Sequence, residues 1–460
     1  MDTSSKSYRN WILLIACLSS SLVPFMGSSI NLALPQIARQ FNLNGIEQSW
    51  ILTAYLLSAT VLQVPFGRLA DIRGKRLIFM AGLCLFALTT FGCGFASNGV
   101  FLILLRILQG VGSAMVFSTN IAIISSVFPP KERGMAMGVN AATVYVSIAA
   151  GPSLGGFITE SLGWEYIFFI TAAIATVALA ASVIVMKDKW TEAAGEPFDM
   201  KGALIYGLAV MTLIYGLTIL PQVTGFLLVA ASFLLFVLFI KCERKEAYPV
   251  FNVSLFIKNS LFRMSSAAAL INYAATFPIS FLISLYLQEV KGMDAQSAGI
   301  ILIVQPIVQS ALSPPAGKLS DRIQPRYIAS AGMALITGSL FLLSFMITPE
   351  TSTGFLAVML GLLGVGFAAF SSPNTNAIMS SVERKDYSMA SAATGTVRQM
   401  GQSFSMGITT MIISIIIGKQ AITPRVSDDL MNVIHITFFI FAVICAGGVY
   451  TSMARGNKPS

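Results

Sequence analysis

Fourteen apolar stretches dominate the sequence, and each is long enough to cross a lipid bilayer. A membrane-spanning helix needs about 20 mainly apolar residues, because its backbone hydrogen bonds must all form within the segment. Only 11% of the 460 residues are charged, whereas a soluble domain carries about 25%. We therefore predict an all-α membrane protein with spans at 11–33, 47–67, 76–97, 101–127, 134–159, 164–186, 201–220, 223–240, 264–288, 297–317, 327–347, 354–380, 391–417 and 432–453.

The lysines and arginines are distributed unevenly between the two sides of these spans. With fourteen spans, both termini lie on one side, and most basic residues fall in the loops of that side. The opposite loops contain only Arg39, Lys291, Lys419 and Arg425. The positive-inside rule then places both termini in the cytoplasm and predicts a multi-pass protein of the plasma membrane. This asymmetry explains the net charge of +9 better than nucleic-acid binding does.

Residues suited to catalysis or to metal and cofactor binding are scarce. His435 is the single histidine, and the five cysteines show no C-x-x-C spacing. No glycine-rich phosphate loop of the G-x-x-x-x-G-K-[ST] type is present. We therefore predict that the protein is not an enzyme and needs no metal or cofactor. A non-transport membrane sensor is a weaker alternative. Such a protein usually carries an added signalling domain, whereas the predicted spans leave only short ends here.

Two loops, 250 positions apart, share the pattern G-x-L-[AS]-D followed by basic residues. Each follows the second span of a group of six, once spans 7 and 8 are set aside. The pattern predicts two parallel six-helix repeats with a two-helix insert. The corresponding segments are 1–186, 187–245 and 246–460. We expect the residues of these loops to act in gating: Gly67, Asp71, Arg73, Gly74 and Arg76 in the first copy, and Gly317, Asp321 and Arg322 in the second.

These loops resemble the signature loop of the major facilitator superfamily, and further motifs resemble its fourteen-helix drug/proton antiporters. They are Leu102-x3-Arg106-x2-Gln109-Gly110 in span 4, Gly151-Pro152-x2-Gly155-Gly156 in span 5, Gly163–Phe169, Tyr286-Leu287-Gln288 and Thr394-x3-Arg398-Gln399-x-Gly401. The resemblance implies a transporter that works by alternating access. It also implies that Ser147, Gly151, Pro152, Gly155 and Gly156 form a seam that packs the two halves together in the outward-closed state.

The distribution of charge departs from that family. All Asp and Glu residues lie in loops or at predicted span ends, whereas Arg106 and Arg398 lie well inside spans. A charge at the bilayer centre costs about 2.5–3.5 kcal/mol on insertion scales, so both arginines are functional candidates. The aspartate that the family usually carries in span 1 corresponds to Met26.

Three hypotheses stay open. Proton coupling has moved to Glu165, Asp71 or His435; or Arg106 or Arg398 binds an anionic metabolite; or neutral or amphiphilic compounds are moved with weak coupling. We favour export of hydrophobic or amphiphilic small molecules by a monomer in the bilayer, with proton coupling left open. Polar residues within the spans are the candidate substrate ligands: Asn31, Arg106, Gln109, Asn120, Tyr145, Asn272, Gln305, Gln309, Asn376 and Arg398. Asn31 is also a candidate partner for the Arg106 guanidinium.

Overall fold

The computed structural model describes residues 6–251, 253–382 and 387–455. Side chains are described for the same residues except 130, 131, 134, 254, 255, 258, 321, 387–389, 391 and 392. The described residues form helices, turns and loops, without strands. This confirms the all-α prediction.

Seventeen α-helices follow one another along the described chain. They are α1 (Lys6–Phe41), α2 (Gly45–Arg73), α3 (Lys75–Cys93), α4 (Gly99–Val127), α5 (Pro130–Ser161), α6 (Glu165–Val185), α7 (Met200–Thr218), α8 (Val223–Glu243), α9 (Val253–Lys258), α10 (Ser260–Thr276), α11 (Ile279–Leu285), α12 (Ala295–Leu302), α13 (Val304–Arg322), α14 (Pro325–Met346), α15 (Thr353–Ser380), α16 (Tyr387–Ile416) and α17 (Ser427–Ala454).

Fourteen spans result, because α10 and α11 share one span, α12 and α13 share another, and the six-residue α9 is too short to cross a bilayer. Thirteen of the helical stretches within the described residues are long and apolar enough to cross a membrane. The 30-residue helix α16 occupies the place of the remaining predicted span.

The end of the bundle where α1 passes into α2 is called the α1–α2 end. The end where both termini lie is called the terminal end.

Proline residues interrupt two of the spans. Helix α10 ends at Thr276, just before Pro278, and α12 ends at Leu302, four residues before Pro306. Proline has no N–H group to donate to the carbonyl four residues earlier, and its ring crowds that carbonyl. After α11, a π-helical turn, Tyr286–Val290, extends the span beyond its predicted end at residue 288.

The two six-helix halves repeat the same close contact between helices. In the N-terminal half, α1–α6, a Cβ atom at Gly112 of α4 would lie 2.9 Å from the carbonyl oxygen of Gly82 in α3. In the C-terminal half, α10–α17, a Cβ atom at Gly366 of α15 would lie 2.9 Å from the carbonyl oxygen of Gly332 in α14. Glycine at all four positions lets the helix backbones touch.

A buried asparagine is repeated as well. Asn120 of α4 donates to the carbonyl oxygen of Ala16 in α1 at 3.2 Å, and Asn374 of α15 donates to that of Ser265 in α10 at 3.1 Å. These equivalent contacts extend the repeat that the two loops indicate, and the two-repeat architecture is confirmed. The segment limits 1–186, 187–245 and 246–460 stay a prediction, although α6 ends at Val185 and α8 at Glu243.

The inserted pair α7–α8 lies outside the two halves, where α2 meets α16. The Tyr206 hydroxyl of α7 donates to the carbonyl oxygen of Thr60 in α2 at 3.1 Å. The rings of Tyr215 in α7 and Trp50 in α2 meet edge to face at 6.0 Å. A Cβ atom at Gly407 of α16 would lie 3.3 Å from the Leu217 side chain of α7. Helix α7 therefore covers the contact between α2 and α16 from the outside.

We predict that Gly112→Ala lowers the free energy of unfolding by about 1–3 kcal/mol, the usual cost of overpacking. Its Cβ atom would lie 2.7 Å from the Phe86 backbone nitrogen, which cannot move aside cheaply. Gly338→Ala is the matched control, because no atom lies within 4 Å of a Cβ atom there. Thermal unfolding of the purified proteins measures both effects, and equal melting temperatures for the two variants would contradict the prediction.

Candidate functional site

Helix α5 contacts the opposite half through Pro152 and Gly156. A Cβ atom at Gly156 would overlap the Ala295 carbonyl group at the start of α12, and one at Gly299 of α12 would overlap the Pro152 carbonyl group. The backbones of α5 and α12 therefore touch directly, which only glycine allows at these positions. The structure places this part of the predicted seam between the halves.

Two other members of the seam, Gly151 and Gly155, face the N-terminal half itself. A Cβ atom at Gly151 would crowd Ser28 of α1, and one at Gly155 would lie 2.6 Å from the Ser29 Cα atom. The Ser147 hydroxyl donates to the carbonyl oxygen of Thr143 in its own helix at 2.8 Å. Gly151 and Gly155, one helical turn apart, thus pack α5 on α1, whereas Pro152 and Gly156 pack α5 on α12.

Polar contacts join the two halves at the α1–α2 end. The Ser284 hydroxyl of α11 donates to the carbonyl oxygen of Asn31 at 2.8 Å, and the Gln288 amide donates to that of Leu32 at 3.2 Å. The Asn31 side-chain oxygen is buried without a described partner. The Gly45 amide donates to the carbonyl oxygen of Gln420 at 2.9 Å.

An ion pair adds to these contacts. Arg39 at the end of α1 donates to Glu289 Oε1 at 2.6 Å. The Glu289 side chain is only 1% exposed, whereas that of Arg39 is 58% exposed. Glu289 lies at a predicted span end, as the sequence indicated, but it is buried, because the π-helical turn carries the span past its predicted end.

Helices α2 and α16 form the second contact between the halves. The hydroxyl groups of Thr60 and Ser403 lie 2.7 Å apart, and the Thr410 hydroxyl donates to that of Ser49 at 3.0 Å. The named contacts between the halves all lie between the middle of the bundle and the α1–α2 end. We conclude that the structure is closed at that end.

A polar cluster lies between the two halves near the middle of the helices. It consists of Tyr145 of α5, Tyr273 of α10, Ser313 of α13 and Arg398 of α16. Tyr145 lies within electrostatic reach of Tyr273 and Arg398, and its hydroxyl lies close to that of Ser313. Both tyrosines and Arg398 are half-buried. Of the ten candidate ligands, Tyr145 and Arg398 are brought together here.

Arg106 lies apart from this cluster, inside the N-terminal half. Its guanidinium donates from Nε to the carbonyl oxygen of Ile51 at 3.0 Å and from Nη1 to Gln109 Oε1. It stacks on the Tyr55 ring at 4.3 Å from the centroid, and the Gln109 amide donates to the Thr90 hydroxyl at 2.6 Å. Arg106 is 1% exposed. Asn31 is not among its described partners, so the expected Asn31 contact is not found.

The remaining candidate ligands are scattered through both halves. Asn120 clamps α4 to α1, as described above, and the Asn376 amide donates to the Ser320 hydroxyl at 2.9 Å. Asn272 is fully buried, with neither amide atom hydrogen-bonded to a described residue. Gln305 and Gln309 lie in the first turns of α13, and Gln309 accepts the Ser313 hydroxyl at its carbonyl oxygen. Their role as substrate ligands stays a prediction.

The first signature loop binds the segment between α6 and α7. The Asp71 carbonyl oxygen accepts the amides of Glu192 and Ala193 at 3.1 and 3.0 Å. Buried Lys75 pairs with Glu192 and lies 3.7 Å from the Asp71 carboxylate. Arg68 pairs with Glu196. This segment is thus tied to the loop by both backbone bonds and opposite charges.

Other predicted gating residues have different surroundings. Gly74 has φ +108°, where a side chain is strained, and the Arg76 amide donates to the Lys189 carbonyl oxygen at 3.5 Å. Arg73 and Arg322 are exposed. A Cβ atom at Gly67 would lie 3.7 Å from Ser118, and one at Gly317 would lie 2.7 Å from the Ser372 hydroxyl. The side chain of Asp321 lies outside the described residues.

None of the three predicted proton-coupling residues has a described hydrogen bond or ion pair across the two halves. Asp71 lies in the loop just described, and Glu165 is half-buried at the start of α6. His435 Nδ1 lies 2.6 Å from the Ser344 carbonyl oxygen, within the C-terminal half. Their role in coupling stays a prediction.

Sequence reasoning missed Glu289 and Arg455. Arg455, just after α17, is 3% exposed and donates to Asn374 Oδ1 at 2.7 Å and to the Ser452 carbonyl oxygen at 2.8 Å. Both residues lie at the limits of spans, where hydropathy alone cannot tell a buried charge from a solvated one. The Tyr286-Leu287-Gln288 motif directly before Glu289 was the available signal.

We predict that Arg106→Lys lowers the free energy of unfolding by about 1.5–3 kcal/mol, because hydrogen bonds to charged groups contribute that much. A lysine ammonium cannot reproduce the planar fork that reaches Ile51, Gln109 and the Tyr55 ring together. Arg73→Lys, at an exposed position, is the control and should melt like the parent protein. An unchanged melting temperature for Arg106→Lys would contradict this assignment.

Comparisons with known proteins agree with this architecture. The family model of the Major Facilitator Superfamily matches residues 16–406 and 265–455. The chain is 30% identical to the Riboflavin transporter RibZ of Clostridioides difficile over 87% of each chain. It is 28% identical to the Multidrug resistance protein Stp of Mycobacterium tuberculosis, covering 84% of this chain and 72% of that one. It is 27% identical to the Tetracenomycin C resistance and export protein of Streptomyces glaucescens, covering 91% and 80%.

A solved structure shares the fold. The crystal structure of a bacterial homolog of the human lysosomal transporter Spinster, in an inward-facing and unoccupied conformation, superposes with a TM-score of 0.71. It covers 98% of this chain and 97% of that one at 15% identity. At this identity, the likeness supports the fold alone.

Proposed function

Because the chain belongs to the Major Facilitator Superfamily of membrane transporters, we propose that it exports hydrophobic or amphiphilic small molecules by alternating access. It is an integral, multi-pass membrane protein. We place it in the plasma membrane with both termini in the cytoplasm, as the distribution of basic loop residues favours. The α1–α2 end then faces outward, and the structure is an outward-closed state.

The polar cluster between the halves is the observation that carries the proposal. Tyr145 and Tyr273 offer aromatic surfaces, and Arg398 offers a cation, at the level where the two halves meet. Repeat-built transporters bind their substrates near the bilayer midplane at the interface between repeats. An amphiphile with an apolar ring system and a polar or anionic group fits this combination. The names of relatives include a multidrug resistance protein and a tetracenomycin C resistance and export protein, which favours export.

Exchange of an anionic metabolite is the second candidate function, and Arg398 favours it. Arg398 is half-buried between the halves, and the described cluster around Tyr145 contains no carboxylate. Arg106 gives no comparable support, because its guanidinium is enclosed by its own half. The anionic alternative therefore depends on Arg398 alone.

Transport by the purified protein in liposomes tests the proposal. We would impose a pH gradient, record lumenal pH with a dye, and add cationic, neutral and anionic amphiphiles, with riboflavin in the panel because a relative is named for it. Export of neutral or cationic amphiphiles supports the first function, and counterflow restricted to anions supports the second. Failure to move any compound in the panel would contradict both. Substrate-dependent proton flux would show that transport is coupled to protons although Met26 stands in place of the family's span-1 aspartate.

We predict that Arg398→Gln raises the KM for anionic members of the panel about tenfold, as the loss of a charge-assisted hydrogen bond of roughly 1.4 kcal/mol would do. The melting temperature should stay unchanged. Arg244→Gln, at an exposed position just after α8 at the terminal end, is the control and should leave transport unaffected. A fall in melting temperature without a change in KM would instead assign Arg398 to packing.

A further inference from the structure

The Arg39–Glu289 ion pair is the one described ion pair that joins the N-terminal half to the C-terminal half. Glu289 belongs to the π-helical turn Tyr286–Val290, and the preceding residue, Gln288, bonds to α1 through the Leu32 carbonyl oxygen. The carboxylate is thus part of the same contact that closes the α1–α2 end. We propose that Glu289 is a proton-binding site whose ionised form holds this end closed, an inference that rests on the transport function proposed above.

The two ends of the ion pair differ in their access to water. Arg39 is 58% exposed, so its guanidinium can be hydrated when the pair breaks, whereas the Glu289 side chain is 1% exposed. Only Oε1 of the carboxylate is paired, and Oε2 is buried without a described hydrogen-bond partner. A buried carboxylate whose charge rests on one partner is costly to keep ionised once that partner leaves.

The direction of the effect follows from the charges. Ionised Glu289 attracts Arg39 and stabilises the closed α1–α2 end. Protonated Glu289 is neutral and loses most of that attraction, so the stabilisation of the closed end is lost as the pH falls. A proton therefore shifts the population towards the state that is open at the α1–α2 end.

No other described charged side chain interacts with the Glu289 carboxylate besides Arg39 of α1. Helix α11 contains no charged residue. Lys291 donates to the Pro349 carbonyl oxygen, and Asp428 and Asp429 lie in the first turn of α17. Asp294 caps α12, and the hydrogen bond from the Ser297 amide lowers the pKa of its carboxyl group. Asp294 therefore loses its charge only at a lower pH than an ordinary aspartate does, so it is a weaker competitor for the same proton.

Thiol labelling of the closed contact tests the proposal without any substrate. Ala295→Cys is the reporter, since Ala295 is 4% exposed where α12 meets α5. It is placed in the full-length chain with the five native cysteines replaced. The protein is reconstituted in nanodiscs and reacted with a membrane-impermeant maleimide from neutral to acidic pH. Ser97→Cys, exposed at the same end, corrects for the pH dependence of thiol reactivity.

With Glu289 present, the corrected labelling rate should rise as the pH falls. With Glu289→Gln it should be independent of pH and about fivefold above the parent rate at neutral pH, the factor expected of one partly exposed ion pair. Arg39→Gln should raise the neutral rate in the same way, and Arg39→Lys should keep the pH response. Glu196→Gln, which breaks an ion pair at the terminal end, should behave like the parent.

A parental pH response in Glu289→Gln would overturn the proposal, and so would a contact that stays protected at neutral pH in that variant. The two proposals fail separately. A pH-dependent labelling rate without transport of any compound would refute the transport function only. Transport together with a pH-independent labelling rate would refute the role of Glu289 only.

Discussion

The bilayer core offers no hydrogen-bond partners, and the arrangement of polar groups in this protein follows from that constraint. The Arg106 guanidinium takes the Ile51 carbonyl oxygen, the Gln109 amide and the Tyr55 ring as partners from its own half. Asn120 and Asn374 each take a carbonyl oxygen of the first helix in their half. These groups hold each half together as a unit, which is what rigid-body alternating access requires.

Glycine determines where the units touch. Within each half, paired glycines bring the third and fourth helices into backbone contact, at Gly82 and Gly112 and again at Gly332 and Gly366. Between the halves, Gly156 lets α5 meet α12. The contact between α2 and α16 is different, because hydroxyl groups join its helices and α7 covers it from outside. The insert therefore shields one contact between the halves from lipid and leaves the α5–α12 contact without such a cover.

The two halves share a scaffold and differ in their chemistry. Gly110 and Gly364 occupy equivalent positions, each against the second helix of its half. At the same sequence spacing that separates Gly110 from Gly364, Arg106 corresponds to Leu360, which is buried and apolar. The cation between the halves, Arg398, belongs to the C-terminal half, and so does Glu289, the carboxylate at the α1–α2 end. The two halves thus share the glycine positions at which their helices pack, whereas their charged side chains stand at different positions.

The sequence by itself determined the span number, the two repeats and the insert. The apolar length of a span and a loop pattern repeated 250 positions apart can both be read without knowledge of any contact between helices. It also indicated Tyr145 and Arg398 as polar residues within spans. Only the tertiary structure separated Arg106 from the polar cluster, since a helix can turn a buried charge towards its own half or towards the partner half without any change in hydropathy. Only the tertiary structure, likewise, buried Glu289, because a π-helical turn extends a span by a few residues that hydropathy assigns to a loop.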